Sequence, residues 1–203
     1  MSWADLFERA AEFEVSVGDV RETVDHRRAE REASDPSADS SAGSPDEARD
    51  PSPARIVADA DVLAADLLVG GAAREALDPV RAHSWVRLVA SDALLDDAEA
   101  TIAELANADL AADWRERVEG NRDAVVHPAG DHPALASAYR GGAMHVLSFD
   151  DRLQSAKAGA AIRAHVESSI KHPRAFASLF DPEPLYEVVE GGSYPGPDRD
   201  PRG

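Results

Sequence analysis

Cysteine is absent from these 203 residues, which removes disulfides, thiolate zinc sites and cysteine nucleophiles together. Lysine is close to absent, since Lys157 and Lys171 are the whole complement. Long apolar runs are missing as well. No stretch approaches the ~18 consecutive apolar residues that a membrane-spanning helix needs. The opening Met1-Ser-Trp-Ala-Asp-Leu-Phe-Glu8 has no basic region ahead of an apolar core, so an export signal is not expected and the protein reads as soluble and cytoplasmic. No Gly-x-Ser-x-Gly elbow, no glycine-rich phosphate loop ending in Gly-Lys-Ser/Thr and no His-Glu-x-x-His helix occurs. The seven histidines, His127, His132 and His145 among them, show no tight ligand spacing. A lone histidine near a strand is more often structural than a ligand.

Acids are what the chain has in excess. Aspartate and glutamate number 39 against 21 basic residues, for a net charge of -18. A surface so acidic and so poor in lysine suits a very salty, halophilic cytoplasm, where the Debye length falls to roughly 3 Å at 1 M salt and self-repulsion is screened. The excess charge is then a solvation feature and says little about the partner. It does not exclude nucleic acid, because phosphate steering by Lys and Arg is weak in high salt and a bound metal can supply local positive charge.

The length allows one domain of ordinary size with appendages. Residues 1–32 form an N-terminal helical segment, with Trp3, Leu6, Phe7, Ala10, Phe13, Val17, Val20 and Val24 at early helical spacing and Gly18 as the expected interruption. An amphipathic segment of this kind must bury its face, either on its own domain or as a docking helix for a homodimer or another protein. Residues 33–54, rich in Ser, Pro, Asp and Ala, are expected to be a disordered linker, and the domain is expected to stand without residues 1–54. Residues 191–203 are expected to be a disordered tail.

Between them, residues 55–190 alternate strand and helix patterns. Strands are predicted at Ile56–Ala58, Trp85–Ala90, Ala124–His127, Met144–Ser148 and Ser169–Lys171, the last at an edge. Helices are predicted at Val62–Val69, Ala72–Ala82, from Ser91 as cap to Ala106, Leu110–Val118, from Asp131 as cap to Gly141-Gly142, Arg152–Val166 and Pro173–Phe180. This alternation predicts an α/β fold, a three-layer α/β/α sandwich around a small parallel sheet of about five strands.

In such a sheet, ligands bind beyond the carboxyl ends of the strands. Asp59 closes the first apolar strand, Asp131 opens the helix after the third, and Asp150 closes the fourth. Any one of 39 acids is ordinarily solvated or a helix cap, and Asp131 alone would be a good cap. Three at strand ends form a candidate cluster of hard oxygen donors, suited to Mg²⁺ or Mn²⁺.

The pattern resembles the PIN domain family of metal-dependent nucleases over most of residues 55–181. The resemblance is carried by Ile56-Val-Ala-Asp59-Ala-Asp61-Val-Leu63, by Ser91-Asp-Ala-Leu-Leu-Asp-Asp97, by Asp131-His-Pro-Ala-Leu-Ala-Ser-Ala138, by Gly142-Ala-Met-His-Val-Leu-Ser148-Phe-Asp150-Asp-Arg-Leu153 and by His172-Pro-Arg-Ala-Phe176. It implies a five-stranded parallel sandwich whose Asp59, Asp97, Asp131 and Asp150 bind Mg²⁺ or Mn²⁺. It also implies a hydrolase that cuts RNA, or alternatively DNA, with Ser148 holding a metal-ligating carboxylate or a phosphate. Asp97 matches the second acid by its spacing to Ser91, with Glu99 the alternative. This chain departs from the family pattern at Ala60 for Thr or Ser, Asp61 for Asn or Ser, Asp97 for Glu, and Phe149 for a small residue.

Two other functions compete. A PIN-like interaction module would keep the acids as remnants and recruit a partner through the N-terminal helix. A haloacid-dehalogenase-like phosphatase would use Asp59 as nucleophile and Asp61 as acid. Such enzymes carry a lysine ahead of a late acidic pair, whereas both lysines here follow Asp150.

Overall fold

The computed structural model describes residues 1–34, 49–128, 131–153 and 168–203. Five parallel strands form one sheet: β1 (Ser52–Ala58), β2 (Arg87–Ser91), β3 (Arg122–Val125), β4 (Ala143–Leu147) and β5 (Ser169–Lys171), in the order β3-β2-β1-β4-β5. Nine helices are found among the described residues. They are α1 (Trp3–Ala10), α2 (Val17–Ser34), α3 (Ala60–Leu68), α4 (Gly71–Ala82), α5 (Asp92–Leu105), α6 (Ala108–Glu119), α7 (Pro133–Gly141), α8 (Pro173–Leu179) and α9 (Pro182–Val189). The fold is a three-layer α/β/α sandwich, as the alternation of patterns predicts.

β1 is central and covered on both faces, so Ile56, Val57 and Ala58 are all buried and the strand reads as an unbroken apolar run. Helices α3 to α6 pack with one another, while α7 lies along β1, β2, β3 and β4. Two glycines make that close fit. A Cβ on Gly141 would stand 2.2 Å from a methyl of Val89 in β2. Gly142 ends α7 in the left-handed region at φ 65, and a Cβ there would stand 2.3 Å from the Asp50 carbonyl oxygen.

The N-terminal segment is two helices, and the break falls before Gly18 rather than at it. Ser16 and Asp19 form a reciprocal cap, the Asp19 carboxylate accepting from the Ser16 amide at 2.9 Å and the Ser16 hydroxyl from the Asp19 amide at 3.2 Å. That cap starts α2 and leaves Gly18 in its first turn. The apolar face of the segment is covered by its own domain. Helix α1 packs on α3 and α6, α2 packs on α3 and α5, and Trp3, Leu6, Phe7, Ala10, Val20 and Val24 all join the main core. Helices α1 and α2 are thus packed on the domain, the first of the two placements expected for the segment.

β1 takes Ser52–Ala54 from the segment expected to be linker, because these residues extend the strand alongside β4. Residues 35–48 of that segment, and most of the helix expected at Arg152–Val166, lie outside the described residues. Residues 191–203 are anchored rather than loose. Asp198 accepts from the Ser84 amide at 2.8 Å, Arg202 reaches Asp78 at 2.6 Å, and the Arg202 carbonyl accepts from the Ala4 amide at 3.0 Å. These contacts come from single residues in a Gly/Pro-rich stretch, which composition does not reveal. Among the described residues no helix is long and apolar enough to cross a membrane.

Candidate functional site

From β1 the chain runs to β2 and β3 on one side of the sheet, and then returns to β4 on the other side of β1. The crevice between the carboxyl ends of β1 and β4 is therefore the topological switch point, where open α/β sheets bind ligands. Asp59 leaves β1 at this point and caps α3. It is fully buried, and its Oδ1 accepts from the Ala60 amide at 2.8 Å. Ser148 leaves β4 directly opposite. Its hydroxyl lies 3.2 Å from Asp59 Oδ2 and 3.3 Å from Asp61 Oδ2, and it accepts from the Asp150 amide at 3.0 Å. The Phe149 amide donates to Asp61 Oδ2 at 3.0 Å. One serine hydroxyl thus ties three carboxyl-bearing residues from two strand ends together.

α5 brings in the next acid. Asp97 is 2 % exposed and shares Arg28 with Asp59. The Arg28 Nη2 donates to Asp59 Oδ1 at 2.6 Å, and its Nε stands 3.5 Å from Asp97 Oδ2. Arg31 pairs with Asp97 Oδ1. Glu99 faces away from this group, 3.4 Å from Arg115 on α6, so Asp97 is the acid that α5 delivers to the crevice. Asp150 chelates Arg152 at 3.0 and 3.1 Å, and Arg152 in turn reaches Asp25 of α2 at 2.6 Å.

Asp131 is not gathered with these acids. It is exposed, and its Oδ2 accepts from the Tyr139 hydroxyl at 2.6 Å. It does not cap α7 either, because the N-cap residue is His132, followed by Pro133. His132 takes the inward position, its ring in the field of Asp59, Arg28, Asp150 and Asp97, with Nδ1 buried and without a hydrogen-bond partner.

The titration of the group follows from burial and charge. Burial pushes Asp61 up, and the neighbouring Asp59 charge adds to this. Arg28, the Phe149 amide and Ser148 offset it only in part, so Asp61 rises to about 8 and keeps its proton at neutral pH. Burial opposes ionisation of Asp59 too, but Arg28 and His132 outweigh it and hold Asp59 below the usual carboxylate value. Burial likewise raises Asp150, and the Arg152 side chain and amide more than reverse it. Burial lowers His132 against the pull of the acids, so its imidazole favours the neutral form.

The donor set is chemically suited to a hard divalent cation: carboxylates, a hydroxyl and a neutral imidazole. Two carboxylate oxygens, Asp61 Oδ1 and Asp97 Oδ2, are buried with no hydrogen-bond partner, and such atoms are costly unless something satisfies them. Among the described residues no three acids or histidines are disposed as a ready chelate, and Arg28 stands between Asp59 and Asp97.

Sequence reasoning missed Arg28 and Arg31, set His132 aside for want of ligand spacing, and gave Asp61 a role only in the phosphatase alternative. A signal for Arg28 exists: Val20, Val24 and Arg28 share four-residue spacing, so the guanidinium continues the buried stripe of α2. His132 has no such signal beyond standing beside Asp131.

The protein is thus a three-layer α/β/α domain with an acidic crevice at its sheet switch point. Residues 50–202 match a family of unknown function, DUF7384, and the chain belongs to that family. No curated protein and no solved structure matches the chain. Helices α1 and α2, and with them Arg28 and Arg31, precede the matched span.

Proposed function

We propose that the protein is a divalent-metal-dependent phosphodiesterase, an RNA endonuclease of PIN type, acting at the crevice between β1 and β4. The observation that carries this reading is the gathering of Asp59, Asp61, Asp97 and Asp150 at one switch point, with two of their buried oxygens accepting no hydrogen bond. Asp59, Asp97 and Asp150 would hold Mg²⁺ or Mn²⁺, with Asp61 beside them. The ion would lower the pKa of a bound water and offset charge on the phosphoryl oxygens. Ser148 fixes the orientation of Asp59 and Asp61 through its hydroxyl. Arg31 and Arg152 are 50 % and 72 % exposed along their side chains, so their guanidinium groups can take phosphate oxygens at the mouth of the crevice.

The test is cleavage of end-labelled single-stranded RNA and DNA in molar KCl with Mn²⁺ or Mg²⁺, comparing wild type with Asp59→Asn. Metal-dependent cleavage by wild type alone supports the reading. Failure to cut either polymer with either metal overturns it. A second reading, the PIN-like interaction module, is favoured by one observation: Arg28 and Arg31 already neutralise Asp59 and Asp97. It predicts no turnover under any metal.

A further inference from the structure

We propose that α2 is a built-in competitor of the divalent cation, with the Arg28 guanidinium holding the carboxylates that would otherwise hold the ion. The inference rests on the metal reading above and names how that site is regulated.

Arg28 is not a surface side chain that strays into the crevice. Its side chain is 14 % exposed, and it makes a two-pronged contact with Asp59, Nη2 to Oδ1 at 2.6 Å and Nη1 to Oδ2 at 3.4 Å. Its Nε, buried and without a hydrogen-bond acceptor in good geometry, lies 3.5 Å from Asp97 Oδ2. A guanidinium and a divalent cation would draw on the same carboxylate oxygens and repel each other at contact distance, so the two exclude one another. The rest of the helix reinforces the contact. Arg31 takes the other oxygen of Asp97. Asp25, three residues before Arg28, holds Arg152, which chelates Asp150. One face of α2 thus engages Asp59 and Asp97 directly and Asp150 through Arg152.

Packing holds this face in place. Val20 and Val24, two turns and one turn ahead of Arg28, are 0 % and 2 % exposed and belong to the main core. The guanidinium is therefore presented by a seated helix, and its departure from the acids needs only rotation of its own side chain. The family match begins at residue 50, so the competitor lies on chain ahead of the matched domain. In this arrangement the acids are neutralised internally until a cation displaces Arg28, and metal affinity is set by α2 as well as by the carboxylates.

The experiment is calorimetric titration of the full chain with Mn²⁺ at fixed ionic strength in molar KCl, for wild type, Arg28→Met, Arg28→Lys and Arg31→Met. Methionine keeps the length of the stem and removes the charge. Arg28→Met is expected to bind Mn²⁺ at least ~10-fold more tightly than wild type, the size of effect that separates ligands competing for one site. Arg28→Lys, which keeps a cation in place, is expected to stay within about threefold of wild type. Should Arg28→Met not fold without metal, Arg31→Met on the more exposed partner decides, with two- to threefold tighter binding expected. Unchanged or weaker binding in the folded charge-removing variant overturns the competition and leaves the metal site standing. No Mn²⁺ binding by any of the four proteins overturns both.

Discussion

Removing the Arg28 charge should destabilise the metal-free protein far more than an ordinary surface substitution. Asp59 is fully buried, and its largest favourable partner is that guanidinium. Truncating one partner of a buried pair leaves an uncompensated charge and costs about 3–5 kcal/mol, against about 0–1 kcal/mol for an exposed pair. In Arg28→Met the stem still packs, and the Ala60 amide and Ser148 hydroxyl still serve Asp59, so the lower end of the range, about 3 kcal/mol, is the expectation. In a chain of this size each kcal/mol moves the melting temperature by roughly 2–4 °C, giving a drop of about 6–12 °C. Scanning calorimetry in molar KCl with a chelator measures it. Two controls make the reasoning refutable. The double variant Arg28→Met/Asp59→Asn deletes both charges and should regain most of the loss, because no orphan carboxylate remains. The effect should also follow pH. The Asp59 pKa is depressed in the folded state, so the pairing stabilises above the ordinary carboxylate pKa near 4 and is lost as pH falls through the lower folded value. The difference between wild type and Arg28→Met should therefore be full at pH 6 and shrink towards pH 2. A loss below about 1 kcal/mol at pH 6, or a double variant no better than the single one, would refute a buried, paired Asp59.

Three further outcomes are expected. Mn²⁺ at a hundredfold excess over its Kd should raise stability by about 2.7 kcal/mol at fixed ionic strength, and Asp150→Asn should abolish most of that shift. An equal shift in both proteins would remove Asp150 from the site. His145, whose pKa burial and then Lys171 push down to about 4, should make wild type lose stability as pH falls from about 6.5 towards 4, since the unfolded chain binds the proton first. Discounted for a half-buried ring, the loss is on the order of 1–2 kcal/mol, and His145→Gln should flatten the melting curve against pH in that window. Gly142→Ala combines a left-handed backbone with a Cβ 2.3 Å from the Asp50 oxygen and should cost on the order of 2–4 kcal/mol by urea unfolding, whereas Ala at the open position Gly71 should cost less.

The strands were legible because the central ones are buried on both faces and carry compact apolar runs between helical patterns. Ile56–Ala58, Val89–Ala90 and Val146–Leu147 all lie where the sheet needs them. The boundaries were less so. β1 starts at Ser52, inside a stretch whose Ser and Pro content reads as linker, because pairing with β4 supplies what composition does not. The helix Pro182–Val189 escaped notice because it has no buried residue, and hence no periodic apolar face to announce it. The tail was misjudged for a different reason. Tyr194, Asp198 and Arg202 are held by partners about a hundred residues or more away, and isolated contacts over such distances leave no trace in local pattern.

The site divides along the same line. Asp59, Ser148 and Asp150 could be found because they are local to strand ends, and Asp97 because it sits in the first turns of a helix capped by Ser91. Asp131 shows the limit of that reasoning, which treated it as the cap of α7. The cap falls at His132, where Pro133 at the first helical position sets the boundary, and a shift of one residue turns the acid out to Tyr139 and the imidazole in towards Asp59. Arg28 and Arg31 mark a deeper limit. Their partners are 31 and 66 residues away, and what seats them is the packing of Val20 and Val24 against the core. The charge of the crevice is therefore a tertiary property. Its acids can be read strand by strand, but whether they face a metal ion or a guanidinium depends on a helix that the acidic motifs do not contain. On the proposed metal reading, metal affinity and metal-free stability would hang on one side chain in opposite directions: the Arg28 charge that pairs with buried Asp59 and Asp97 is the charge a cation would have to displace.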